Sequence, residues 1–248
     1  MIAAAAFALV VAGGMVKGVL GIGLPMVVVP TLTLLVGLPT ALSILAIPMI
    51  CSNLWQVWQF RKSRSQRIPM GLFMASGAFG VGMGVWLLAN IPAQWIEAGL
   101  GGLLLTYLAM RFAQPDMVLS PAGAARIAPV IGFGSGALHG ATGISGPLGV
   151  TYFHSMRLLR PDFVFCTGLM FLGFTSVQLP LLYAAGFFDA QTAKLGLLCL
   201  PAVALGLVIG NWIARRVDKV LFDRLVLAII VWMTASLLWR SIPEILAS

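Results

Sequence analysis

The chain has 248 residues, of which 60% are hydrophobic and 9% charged, whereas a soluble domain has about 45–50% apolar and about 25% charged residues. A mean hydropathy of +1.02 exceeds what one interior of this size can hide from water, which excludes a soluble enzyme, a disordered chain and a disulfide-stapled secreted module. Lys and Arg outnumber Asp and Glu by 15 to 7, but most of these cations sit in a few short loops, so the excess does not call for a nucleic-acid partner.

Hydrophobic segments fall at about 2–37, 40–60, 68–90, 95–113, 121–156, 161–184, 190–214 and 220–240. At roughly 20 residues per crossing, this is a polytopic all-α membrane protein whose main partner is the lipid bilayer. No basic region precedes the first apolar run, which continues past Lys17 to Leu35, so the N-terminus reads as structure and not as a signal peptide. Cys51, Cys166 and Cys199 lie in apolar stretches without CxxC spacing, which points to neither a disulfide framework nor a metal site. Segments 2–37 and 121–156 are each about 35 residues long and carry a glycine-rich, polar interruption that no straight span needs.

A shift of 122 residues aligns these two segments without a gap. It pairs Gly14 with Gly136, Gly18 with Gly140, Gly21 with Gly143, Ile22 with Ile144, Pro25 with Pro147, Val28 with Val150, Pro39 with Pro161 and Gln56 with Gln178. Apolar composition would not match Gly, Pro and Gln by chance. After a further four-residue shift, Gly80 and Gly84 meet Gly206 and Gly210, each pair with the spacing that lets membrane helices approach closely. The chain therefore reads as two copies of a four-segment unit, residues 1–120 and 121–248.

The loop cations relate the copies, because short loops rich in Lys and Arg stay in the cytoplasm. Arg61, Lys62, Arg64 and Arg67 follow the second segment of the first copy, whereas the equivalent loop, Gly186 to Gln191, carries only Asp189. The stretch Asn90 to Gln94 is uncharged, and its counterpart holds Arg215, Arg216, Lys219 and Arg224. Gly37 to Thr40 is likewise uncharged where the second copy has Arg157 and Arg160. Equivalent loops thus lie on opposite sides, which makes the repeats inverted and requires an odd number of crossings in each. The count works if each long segment is a broken, re-entrant hairpin of two shorter helices followed by three transmembrane helices. Both termini are then periplasmic.

The breaks read Lys17-Gly18-Val19-Leu20-Gly21-Ile22-Gly23-Leu24-Pro25 and His139-Gly140-Ala141-Thr142-Gly143-Ile144-Ser145-Gly146-Pro147. Irregular backbone at membrane depth must be buried in protein or line a cavity. Proline suits the first turn of a new helix, so each break should offer free N–H groups and a positive helix end to an anion. Lys17 and His139 are equivalent, and an ionisable group inside a membrane is a functional candidate. Snorkelling or neutralising a helix end is the other role open to Lys17, and a core imidazole bonded to a carbonyl is the other open to His139. Thr142 and Ser145 fit either helix capping or ligand contact. Asn53 and Gln56 share one helical face, as do the equivalent Thr175 and Gln178, and interhelical bonding is their other use.

Lys17 to Pro25 followed by Val27-Val28-Val29-Pro30, repeated near Gly143 to Tyr152, resembles the sulfite exporter TauE/SafE family of anion permeases over essentially the whole chain. The second copy departs from it with Tyr152 in place of Pro30 and with a more polar break. The resemblance implies transport of sulfite, organosulfonates or related sulfur- or carboxylate-bearing anions across the bacterial inner membrane.

The leading expectation is a secondary transporter working by alternating access, with a small anion held by Lys17, Gly18, Gly21, Gly23, Asn53, Gln56, His139, Gly140, Thr142, Gly143, Ser145, Thr175 and Gln178. The spans carry no Asp or Glu near their middles, which leaves His139 as the candidate proton carrier. No cofactor or metal is called for. A membrane enzyme is the weaker alternative, since Glu97, Asp116, Asp162, Asp189, Asp218, Asp223 and Glu244 fall in or near loops. A transition-metal permease has only scattered cysteines to build on.

Overall fold

Glycine decides where the first long apolar segment breaks. The computed structural model describes residues 2–63, 70–92, 95, 119–216 and the single positions 221, 224, 228, 231 and 235. Helix α1 (Ile2–Leu20) stops at Gly21, whose φ of +77° lets its N–H return to Lys17 O at 2.7 Å. That left-handed closure is open to glycine because it has no Cβ. Helix α2 (Leu24–Val36) then begins with Pro25 in its first turn, and α3 (Leu38–Gln59) follows after Gly37. Next come α4 (Met70–Asn90) and α5 (Pro121–Thr142). Ser120 caps α5, its hydroxyl accepting from Gly123 N at 3.1 Å.

The second long segment breaks as the first does. Gly143 takes φ +70° and donates to His139 O at 2.7 Å. Its returning arm is different, a π-helical turn (Gly146–Val150) running into the short α6 (Thr151–Ser155). Gly146 and Gly149 stand there in place of Leu24 and Val27 of the first arm, and glycine holds a regular α-helix weakly. The last described helices are α7 (Arg160–Ala184) and α8 (Ala190–Ala214). Asp189 and Thr192 start α8 with reciprocal side-chain-to-backbone bonds of 2.7 and 2.9 Å.

Four described helices, α3, α4, α7 and α8, are long and apolar enough to cross a membrane. They match the spans expected at 40–60, 68–90, 161–184 and 190–214 to within two residues. The spans expected at 95–113 and 220–240 lie outside the described residues except for isolated positions. Both breaks fold the chain back on itself. A Cβ on Gly13 would meet Leu24 at 3.2 Å, and one on Gly134 would meet Leu148 at 2.8 Å. At the mouth of the second hairpin Leu119 N donates to Ser155 O at 3.0 Å, and the Tyr152 hydroxyl donates to Ala124 O at 2.9 Å. That segment therefore leaves at the end where it entered.

Small residues set how the helices meet. On α1, a Cβ on Gly14 would lie 3.1 Å from Gly206 Cα, and one on Gly18 would lie 2.8 Å from Gly210 Cα. The contacts advance together along both chains, so α1 and α8 run parallel with their backbones nearly touching. Helices α4 and α5 do the same: a Cβ on Gly136 would sit 2.9 Å from Gly77 Cα, and one on Gly140 would sit 3.0 Å from Gly84 Cα. Close backbone approach of this kind supplies van der Waals contact where lipid removes any hydrophobic gain. Helices α3 and α7 run antiparallel, since Gly168 faces Gln56 while the Arg160 guanidinium lies 5.9 Å from the Phe60 ring. Trp55, Trp58, Trp86 and Trp212, all 52–57% exposed, sit near helix ends, as interfacial anchors do.

Candidate functional site

Seven polar side chains converge where the hairpins meet α3 and α7, each at most 2% exposed: Lys17, Asn53, Gln56, His139, Ser145, Thr175 and Gln178. They form two half-clusters that map onto each other under the 122-residue shift. In the first, Lys17 Nζ donates to Asn53 Oδ1, while Gln56 Nε2 donates to Lys17 O at 3.3 Å. In the second, His139 Nε2 lies 3.1 Å from Thr175 Oγ1, while Gln178 Nε2 donates to His139 O at 2.8 Å and to Gly140 O at 3.1 Å. A glutamine from a neighbouring helix thus adds a second hydrogen bond to the Lys17 and His139 carbonyls, which already accept from Gly21 N and Gly143 N at the ends of α1 and α5. A buried amide gains a partner by the same bond.

Phe171 of α7 joins the halves. Its ring centroid lies 5.7 Å from Lys17 Nζ and 5.9 Å from the His139 ring, and the residue is buried. Among the described residues the partners of Lys17 are therefore an amide oxygen and an aromatic face, with no carboxylate. A cation on such a face is attracted by the ring quadrupole. The other nitrogen of His139 lies 3.3 Å from Ser145 Oγ, so both ring nitrogens meet hydroxyls, which accept or donate according to the tautomer.

The remaining sequence candidates stand elsewhere in the break. Gly18 and Gly140 face the backbones of α8 and α4. Gly21, Gly23 and Gly143 hold positive φ and lie against Val164, Val16 and Leu42. Thr142 caps locally, its Oγ1 donating to Leu138 O at 2.7 Å and accepting from Ile144 N at 3.2 Å. Helix α2 starts without any side-chain cap, which leaves its first N–H groups open at the break.

Two residues outside the sequence candidates matter. Phe171 carries no polar signal and is indistinguishable in sequence from any other apolar span residue. Arg160 reads in sequence as an orientation signal, but its guanidinium donates to Gly18 O at 3.1 Å and to Val19 O at 3.1 and 3.3 Å. It caps the broken end of α1 from the start of α7. A groove of about 610 Å³ along α3 and α8, lined by Trp55, Leu207 and Asn211 among others, does not include the polar cluster. Among the described residues no group of three or more His, Cys, Asp or Glu is placed to hold a metal ion.

The family model described as sulfite exporter TauE/SafE matches residues 5–237. The chain belongs to the sulfite exporter TauE/SafE family. Membership, together with the four membrane-length helices, makes it a multi-pass membrane protein of a family of anion transporters. Neither curated proteins nor solved structures gave a match.

Proposed function

We propose that this TauE/SafE chain is a secondary transporter that carries a small sulfur-containing anion, sulfite or a sulfonate, across the bacterial inner membrane. The anion is held at the two glycine-rich breaks by Lys17, Asn53 and Gln56 on one side and by His139, Ser145, Thr175 and Gln178 on the other. The observation that carries this reading is the equivalence of the two buried half-clusters, each with an ionisable side chain at a broken helix end. Sites at repeat interfaces built from discontinuous helices are how such transporters bind substrate at membrane depth.

The two units, residues 1–120 and 121–248, are inverted repeats, and alternating access is the rocking of one against the other. The antiparallel course of the equivalent helices α3 and α7 supports this. So does the exchange of partners, in which α1 of one unit lies along α8 of the other while α5 lies along α4. The termini are periplasmic. His139 is the proton-coupling residue, because its two hydroxyl neighbours accept either protonation state of the ring.

Flux of radiolabelled sulfite into proteoliposomes tests the reading. The wild-type chain should accumulate label, and His139→Gln should flatten the pH dependence of the rate. No flux of sulfite or of any sulfonate would sink the transporter assignment, and an unaltered pH profile would remove His139 from coupling. Labelling of single cysteines added at each terminus of intact cells tests the orientation.

A further inference from the structure

Among the described residues, the polar cluster leaves some buried atoms without a hydrogen-bond partner. In the Lys17 half two such atoms occur, Asn53 Nδ2 and Gln56 Oε1. Their identities follow from their neighbours. An ammonium only donates, so the Asn53 atom facing Lys17 Nζ is the oxygen, which leaves Nδ2 turned away as a donor. A carbonyl only accepts, so the Gln56 atom facing Lys17 O is the nitrogen, which leaves Oε1 as an acceptor. Among the described residues the other unpartnered buried atoms, Ser135 Oγ and Thr151 Oγ1, are hydroxyls that serve either way and express no such preference.

Asn53 and Gln56 lie three residues apart on one face of α3. That face therefore offers an unpaired donor beside the Lys17 ammonium and an unpaired acceptor one turn further on. Opposite the acceptor stands Gly168 of α7, where a methyl group would lie 3.6 Å from Gln56 Cβ and 3.9 Å from Oε1. The missing side chain sets the wall back at that spot. Buried polar groups in a native protein are matched by partners, and a buried carbonyl oxygen is matched by a donor, not by another lone pair.

Resting on the transporter reading above, we propose that the Lys17 half-site selects an anion that carries its own hydrogen-bond donor. The anionic oxygens accept from Lys17 Nζ and Asn53 Nδ2, and an O–H of the same ligand donates to Gln56 Oε1. The class is hydrogen sulfite and hydroxy-substituted sulfonates. An oxyanion without a proton would set its own lone pair against Gln56 Oε1 and is disfavoured.

Ethanesulfonate and 2-hydroxyethanesulfonate have the same charge and differ by one O–H, so calorimetric titration of both into the purified full-length chain tests the proposal, with sulfite as the reference ligand. The hydroxy compound should bind about tenfold more tightly, the worth of one hydrogen bond to a buried acceptor. Gln56→Met, which keeps the length of the side chain and loses the acceptor, should bring the two sulfonates to equal affinity while ethanesulfonate still binds. If that variant does not fold, Gly168→Ala carries the second arm, since its methyl makes ordinary contacts and narrows the space beside Oε1; it should shrink the preference. Equal affinities in the wild type, or a preference untouched by both variants, overturns the proposal. Binding of sulfite alone overturns the class as stated, and binding of none of the three overturns the transporter reading with it.

Discussion

Gln56 and Gln178, 122 residues apart, make the same bond: each side-chain amide donates to the backbone carbonyl of the residue that supplies the ionisable group of its half-cluster, Lys17 O at 3.3 Å and His139 O at 2.8 Å. Those carbonyls also accept from Gly21 N and Gly143 N at 2.7 Å. The bond ties each broken helix end to the span that carries Asn53 and Gln56 in one half-cluster and Thr175 and Gln178 in the other.

Lys17→Met should weaken anion binding by about 10- to 100-fold, the range expected when a charge-assisted hydrogen bond is removed. Its effect on stability should stay within about 2 kcal/mol, because the lost buried charge offsets the newly unpaired Asn53 Oδ1. Calorimetric titration and thermal denaturation of the purified variant check both halves. Wild-type affinity would remove Lys17 from the site.

Gly18→Ala should destabilise by about 1–3 kcal/mol or more, since its Cβ would stand 2.8 Å from both Gly210 Cα and Leu207 O, and backbone cannot rotate away. Gly82→Ala on α4 meets nothing within 4 Å and should be neutral or mildly stabilising. Comparing the melting temperatures of the two variants by monodisperse chromatography and thermal scanning tests this. A tolerated Gly18→Ala would mean that α1 and α8 are not in backbone contact.

Arg160→Met should cost about 2–3 kcal/mol by uncapping Gly18 O and Val19 O. Arg160→Lys should recover part of this, because one ammonium cannot reproduce the fork that spans two carbonyls. Protease sensitivity near residues 18–23 reports the loosening directly, and equal behaviour of the Met and Lys variants would argue against a cap.

The Asp189 carboxylate is held below its usual range, chiefly by the hydrogen bond from Thr192 N and then by the Thr192 hydroxyl. A lowered folded-state value means that the bond stabilises the protein above the unfolded pKa and that this contribution is lost as pH falls through the folded one. Asp189→Asn should therefore differ from the wild type at neutral pH and converge with it in the acid range. Stability curves that stay parallel down to strongly acidic pH would contradict the capping bond.

How much of this was legible in sequence follows from what each feature depends on. Segment length and apolar content fix the spans, so α3, α4, α7 and α8 lie where the pattern puts them. Gly21 and Gly143 mark the breaks by themselves, because a left-handed closure needs glycine wherever it occurs. A shift of 122 residues pairs Lys17 with His139 and Gln56 with Gln178 in the sequence itself, and in the structure Gln56 bonds the Lys17 carbonyl and Gln178 the His139 carbonyl.

Phe171 and Arg160 show what the pattern could not give. Nothing about a phenylalanine in an apolar span says that its ring will lie between two ionisable groups contributed by different hairpins. Nothing about an arginine beside a span says that it will cap a helix 142 residues earlier in the chain. The sequence alone determined the membrane-length helices and the glycine breaks between them, because these depend on local backbone chemistry and on solvent. Only the tertiary structure decided which atoms of the Lys17 half keep a partner and which do not, because hydrogen-bond satisfaction is a property of neighbours that chain order does not record.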